Sequence, residues 1–239
     1  MKTEITHIPL AERVRPQTLD QFVGQAHLLG YGKPLRLMVE KDELRSFILW
    51  GPPGVGKTTL ARIIANQTKS EFFALNAVSS GVKDVREVIA KAEQYQRSFK
   101  RTILFIDEIH RFNKAQQDAL LHSVEEGIIT LIGATTENPS FEVISPLLSR
   151  MRVFVMEPLG KSELEKILEQ TLAQDEWITK DTVTIEDKEY FFLLSGGDAR
   201  KLLNGLEIAF QITQPDPHGV RHLTKEILEE AFQRRYSLY

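Results

Sequence analysis

GPPGVGKT, residues 51–58, sets glycines, a lysine and a threonine at fixed spacing. It fits G-x-x-x-x-G-K-[ST], a loop whose backbone N–H groups point at phosphate oxygens. Gly51, Gly54 and Gly56 admit backbone conformations and close approaches that a side chain would obstruct. Pro52, Pro53 and Val55 complete the cradle, and Thr59 follows it. Lys57 suits the β- and γ-phosphates of ATP, and the Thr58 hydroxyl suits Mg2+. A second group fits the first. TILFIDEIH places Asp107 and Glu108 at the end of an apolar run. Alone, such a pair is often a solvated turn. Beside a phosphate loop, Asp107 suits Mg2+ held through water, and Glu108 suits polarising an attacking water. Thr135, Thr136, Glu137 and Asn138 end another apolar run, where a hydroxyl or amide could contact the γ-phosphate or orient that water.

SPLLSRMRVFV, residues 145–155, puts Arg150 and Arg152 between a helix end and an apolar strand. Arginine is costly to bury without a partner. Lys57 already supplies charge to the chain's own nucleotide. Arg150, beyond a separate helix, therefore suits ATP on a neighbouring subunit, as an arginine finger. For Arg152 an internal ion pair is the expectation.

These residues need a scaffold. FILW (47–50), FFAL (72–75), TILFI (102–106), ITLIGA (129–134) and VFVM (153–156) are short and rich in β-branched or aromatic residues. Such continuous apolar runs read as parallel strands buried on both faces. Helical patterns alternate with them at 58–67, at 82–97 and after Asn113, a good N-cap. The expectation is a five-stranded parallel sheet flanked by helices over residues 1–160. After Pro158 no strand is expected. Ser162 with Glu165 fits a capping box, Asp198 fits an N-cap, and Thr224–Arg235 reads as a last helix. Residues 161–239 thus read as a small all-helical domain.

Composition narrows the rest. The chain has 239 residues, no cysteine and a net charge of −3. Disulfides and thiolate metal sites are excluded. Residues 1–160 carry 20 basic and 18 acidic side chains, and residues 161–239 carry 10 and 15. Neither part has the basic excess of a nucleic-acid binder, so composition does not support DNA binding. No apolar run approaches membrane-spanning length and the N-terminus lacks an apolar leader, so a cytoplasmic protein is expected. His110 reads as a residue packed at a strand end, with sensing of nucleotide or partner as the alternative. Gln116 and Gln117 read as a solvated helix face or, equally, a face toward DNA. Trp50 reads as core, and Tyr236 and Tyr239 carry no reading.

Together these motifs resemble the AAA+ ATPases across almost the whole chain. GPPGVGKT and IDEIH resemble the Walker A and Walker B motifs. Ala134-Thr135-Thr136 resembles sensor 1, with Thr136 matching the sensing residue. Asn76 resembles the asparagine that restrains the Walker B glutamate. LLSRM resembles the clamp-loader-like finger motif, which implies the finger role for Arg150. GGDARKLLN resembles sensor 2, with Arg200 its arginine. LAERVRPQTLDQFVGQ resembles the adenine-binding box, which implies that Arg15, Pro16, Val23 and Gly24 flank the base.

One branch is closer. PLAERVRPQTLDQFVGQAHLLG, DEIHRFNKAQQDALL and GATTENPSFEVISPLLSR resemble the bacterial replication-associated recombination protein A family, related to the eukaryotic Werner-helicase-interacting proteins. The resemblance implies a DNA-dependent, clamp-loader-like ATPase in fork maintenance, recombination and repair. It implies single-stranded or fork and gap DNA and single-stranded DNA-binding protein as partners. It further implies self-association around a shared ATP site, and a nucleoid-associated location. A clamp-loader subunit or Holliday-junction branch-migration motor is the alternative enzyme. A nucleotide-gated scaffold with little turnover is the alternative outside catalysis, and Glu108 argues against it. Met151 stands where relatives often carry a small residue or cysteine. The family usually continues past the lid into an oligomerisation domain, so a chain ending at Tyr239 reads as an N-terminal portion or a natural short form.

Overall fold

The computed structural model describes residues 8–234, so Arg235, Tyr236 and Tyr239 lie outside it. The chain divides into two compact units, one formed by residues 16–157 and the other by the N-terminal residues up to Arg15 together with residues 158 onward.

The first unit holds β1 (Phe47–Trp50), β2 (Glu71–Asn76), β3 (Thr102–Asp107), β4 (Thr130–Thr135) and β5 (Arg152–Val155). All pair in parallel, in the order β2-β3-β4-β1-β5. Burial on both faces explains the continuous apolar run of β3. Ile103 and Phe105 join one core with Leu60, Ile63 and Ile64, while Leu104 and Ile106 join another with Val85, Val88 and Leu120. The edge strands depart from that expectation. In β5 only Phe154 is buried, and Arg152, Val153 and Val155 are exposed because no strand lies beyond them.

The helices that flank the sheet run Lys57–Gln67, Val82–Arg97 and Lys114–Glu125. The last starts where expected. The Asn113 side chain accepts the Gln116 N–H at 3.0 Å, and the Gln116 side chain accepts the Asn113 N–H at 2.9 Å. Because every strand runs the same way, Trp50, Asn76, Asp107 and Thr135 all end at one edge of the sheet.

The second unit is mainly helical. Its longer helices are Lys161–Gln174, Lys188–Ser195, Ala199–Ile212 and Lys225–Arg234. Asp198 caps the third, accepting the Lys201 N–H at 2.9 Å. The expected box at Ser162 and Glu165 gives way to half of one two residues earlier, since Gly160 has no side chain to return the bond. The Glu163 carboxylate takes the Gly160 N–H, because buried Leu159, bonded to Gly197 O at 3.2 Å, sets the entry of the chain. The unit is not all-helical as expected. β6 (Thr182–Ile185) and β7 (Val220–Leu223) form a parallel pair with Thr182 opposite Val220. TVTI and VRHL are four residues each, with polar residues interleaved, and two helices separate them in sequence. Neither announces itself without its distant partner.

The boundary also differs from the expected division at residue 160. Leu10 is fully buried in the helical core with Leu168, Leu202 and Leu206. Arg13 donates to Asp175 at 2.7 and 3.1 Å and to Glu207 at 3.0 Å, and lies 5.5 Å from the Trp177 ring centre. These contacts place the N-terminal residues up to Arg15 with the helices. Among the described residues no helix is long and apolar enough to cross a membrane.

Candidate functional site: a phosphate loop beside a strained glutamate

The loop after β1 is built for close approach. A Cβ on Gly51 would fall 2.3 Å from the Met156 carbonyl oxygen. Gly54 and Gly56 take φ of 71° and 96°, which glycine adopts at little cost. Gly56 is the residue before the helix Lys57–Gln67, so the loop's N–H groups meet the positive end of that helix. Lys57 is buried, and its ammonium donates to Gly51 O at 2.7 Å and Pro52 O at 2.8 Å. It is therefore held across the mouth of the loop. Thr58 and Thr59 are half-buried in the first helical turn. One hydroxyl from Thr58 and one carboxylate from Asp107 form a donor set suited to Mg2+, which completes its shell with water and phosphate oxygens.

The segment that carries Phe22 packs against this loop. The Phe22 ring lies 2.8 Å from where a Cβ on Gly56 would sit. Gln25, at φ 56° and almost fully buried, clasps the backbone of Glu157. Its Oε1 accepts the Glu157 N–H at 2.9 Å, and its Nε2 donates to Glu157 O at 2.7 Å. Val23 and Gly24 are thereby held beside the loop, with Pro16 in the same unit. Arg15 belongs to the helical unit and pairs there with Glu12. Phe22 and Gln25 lie within the adenine-box string but were not singled out there, since their contacts and the left-handed φ of Gln25 are invisible in the sequence.

On the acidic side, β3 ends at Asp107, opposite Asn76 of β2. Glu108 follows at φ 57° and ψ 44°, a left-handed conformation costing a non-glycine residue about 1–3 kcal/mol. Its Oε2 lies 3.2 Å from His110 Nε2. The other ring nitrogen, Nδ1, lies 2.9 Å from Thr135 Oγ1. Thr135 is fully buried, accepts the Glu137 N–H at 2.9 Å, and accepts the Gly51 N–H on its carbonyl at 3.1 Å. Thr136 is half-buried just past the strand, with no hydrogen-bond partner for its hydroxyl among the described residues. No hydrogen bond joins Asn76 to Glu108 among the described residues. Its Oδ1 closes a turn by accepting the Val78 N–H at 2.9 Å.

The glutamines correct the sequence reading. Gln116 and Gln117 are buried rather than solvated. Gln117 donates to Phe112 O at 2.9 Å and Glu142 O at 3.0 Å and accepts the Ile144 N–H at 2.9 Å. It holds the backbone of the segment that leads to Arg150. The internal ion pair expected of Arg152 falls to Arg150 instead. Arg150, about 40% exposed, pairs with Glu125 and donates to Pro146 O at 2.6 Å. Arg152 sits on the exposed edge strand with no carboxylate partner among the described residues. In the helical unit, Arg200 is exposed in the first turn of its helix, with no ion pair among the described residues. It follows Gly196 and Gly197, whose φ values of 59° and 78° turn the chain into that helix.

Comparison with known proteins agrees with this fold. The model of the ATPase family associated with various cellular activities (AAA) matches residues 47–159, and that of the AAA C-terminal domain matches residues 179–239. Replication-associated recombination protein A of Escherichia coli (strain K12) is 47% identical over 228 residues, covering 94% of this chain and 51% of that protein. The protein of that name from Coxiella burnetii is 52% identical over 204 residues, covering 84% of this chain and 46% of its own length. The chain thus spans about half the length of the curated relatives it matches. Among solved structures, the Thermotoga maritima RuvB Holliday junction branch migration motor aligns with a TM-score of 0.69 at 26% identity, over 92% of this chain and 72% of that one.

Proposed function

Since this chain belongs to the AAA+ ATPases, within the replication-associated recombination protein A family, we propose that it binds ATP with Mg2+ and hydrolyses it by in-line attack of water on the γ-phosphate. The strand order carries the reading. β1, with the phosphate loop, and β3, with Asp107 and Glu108, flank β4, whose end bears Thr135 and Thr136. The loop N–H groups and Lys57 bind the β- and γ-phosphates. Thr58 and Asp107 would hold Mg2+, which when bound neutralises phosphate charge. Glu108 accepts the proton of the attacking water, and Thr136 contacts the γ-phosphate. Asn76 restrains Glu108 in the waiting site, and its turn at Val78 is the part that would have to open. Pro16, Val23 and Gly24, with Arg15, bind the base. Arg200 couples nucleotide to the helical unit, and Arg150 leaves Glu125 to reach the ATP of a neighbouring copy.

The relatives' names place them in replication and recombination. On that ground the hydrolysis is taken to serve DNA, with single-stranded or gapped DNA and single-stranded DNA-binding protein as partners, in a cytoplasmic, nucleoid-associated protein. Glu108 weighs against a scaffold without turnover, since a binder has no use for a carboxylate held in strained backbone. Phosphate release should be measured with and without single-stranded DNA, for wild type and Lys57→Ala. Mg2+-dependent release that DNA stimulates and Lys57→Ala abolishes is the expected result. Nucleotide binding without release would make the protein a scaffold. Equal ATP affinity in Lys57→Ala would end the assignment of the loop.

A further inference from the structure

We infer that His110 is the positioning residue for Glu108, tying the carboxylate that meets the attacking water to the end of β4 through the Thr135 hydroxyl. The inference rests on the ATPase reading and deepens it. Three observations point the same way. The first is the strain at Glu108. Its left-handed backbone persists only if the surroundings over-determine it, and its side chain, about a third exposed, would otherwise be free to turn. The second is the anchoring of the turn that follows. Ile109 is fully buried, with Cδ1 3.0 Å from where a Cβ on Gly133 would sit, and His110 reaches Thr135. Successive residues of the turn are therefore fixed to alternate residues of β4.

The third observation is the hydrogen-bond logic of the ring, whose side chain is only 7% exposed. Thr135 Oγ1 has one proton to give, with Nδ1 at 2.9 Å and the Glu137 carbonyl at 3.2 Å. In the neutral ring, the arrangement that satisfies both nitrogens has the hydroxyl donating to Nδ1 and Nε2–H facing Glu108 at 3.2 Å. A neutral imidazole then orients the carboxylate by one oxygen and leaves the other for water. Thr135 also accepts the Gly51 N–H and precedes Thr136. Phosphate loop, sensing hydroxyl and base thus share one strand end, and a shift of that end moves the carboxylate with it.

The test uses steady-state phosphate release, titration with a fluorescent ATP analogue and thermal melting, all on the full protein. His110→Ala should lower kcat about 10- to 100-fold, the cost of a misplaced reacting group, with nucleotide affinity held within about twofold. His110→Gln, whose amide can donate where Nε2–H does, should regain most of the rate. In a Glu108→Gln background His110→Ala should cost nothing more, because the histidine acts only through that carboxylate. Full turnover in His110→Ala overturns the inference, as does an equal further loss in the Glu108→Gln background, or a rate loss explained by weaker ATP binding. Should His110→Ala fail to fold, Thr135→Val keeps the shape and removes the hydroxyl. It must then lower kcat about tenfold at unchanged affinity, and a normal kcat there overturns the inference equally. A wild type that does not hydrolyse ATP ends the functional reading itself. A wild type that does, with Glu108→Gln inactive and His110→Ala at full rate, ends only the role of His110.

Discussion

Two polar networks in this protein use similar residue types for opposite ends. Around Arg13, charges are closed on themselves. Its guanidinium is bonded to Asp175 and Glu207 and lies over Trp177, and the Asp175 side chain is only 3% exposed. Burial works against the charge of Asp175. Hydrogen bonds from Arg13 and from the Ile178 and Trp177 N–H groups outweigh it, and hold the carboxyl below the usual carboxylate range. Around Glu108, the network is left open. The backbone is strained, the carboxylate is a third exposed and touches one ring nitrogen, and Thr136 nearby has a hydroxyl with no partner among the described residues. Full satisfaction anchors a chain, whereas strain and spare hydrogen-bonding capacity leave room for a ligand.

The sharpest way to break that contrast is at the open site. In a protein that assembles, Arg150→Ala should lower turnover about 10³-fold or more, as for a finger supplied in trans. Mixing it with Lys57→Ala should restore activity by pairing an intact pocket with an intact finger. No rescue, or full turnover in Arg150→Ala alone, would return Arg150 to its structural pairing with Glu125. Glu108→Gln comes next. It should keep ATP binding and lose about 10²-fold or more in kcat, and a wild-type rate would remove Glu108 as base.

The closed network should answer in stability instead. Arg13→Ala leaves a buried carboxylate unpaired and should cost about 3 kcal/mol in urea unfolding at neutral pH. The folded value of Asp175 is depressed. Its contribution is therefore present above its ordinary range near 4 and lost as pH falls through the folded value. The gap between wild type and Arg13→Ala should narrow as pH falls below that ordinary range, and a constant gap would assign the loss to packing on Trp177. The smallest effect belongs to Arg152→Ala, exposed on an edge strand, which should stay within about 0.5 kcal/mol in the same assay.

Much of the site was legible because its parts are contiguous. A phosphate loop is a single local string, and its φ requirements select glycine at Gly54 and Gly56 wherever the fold carries it. β1, β3 and β4 were legible because buried parallel strands are apolar without alternation. The burial of Gln117 was not, since an amide buried against three backbone groups reads like an amide in water until the neighbouring segment is in place. The ion pair expected of Arg152 fell to Arg150 for a similar reason. Which of two nearby arginines meets a carboxylate depends on where the helix ending at Glu125 runs.

By itself, then, the sequence determined where the phosphate-loop motif lies, which carboxylates stand at a strand end, and that the strands are parallel. These properties depend on neighbours a few residues apart. Only the tertiary structure decided what Glu108 touches. Residues 108, 110 and 135 meet because β3 and β4 lie side by side, and that adjacency comes from the packing of whole strands against helices on both faces. The same holds for the N-terminal residues, whose place with the helices was set by Asp175 and Glu207, far along the chain from Arg13. Local chemistry is written in spacing. Partnership across the fold arises from burial, which rewards total apolar area and satisfied polar groups and leaves no mark on any short string.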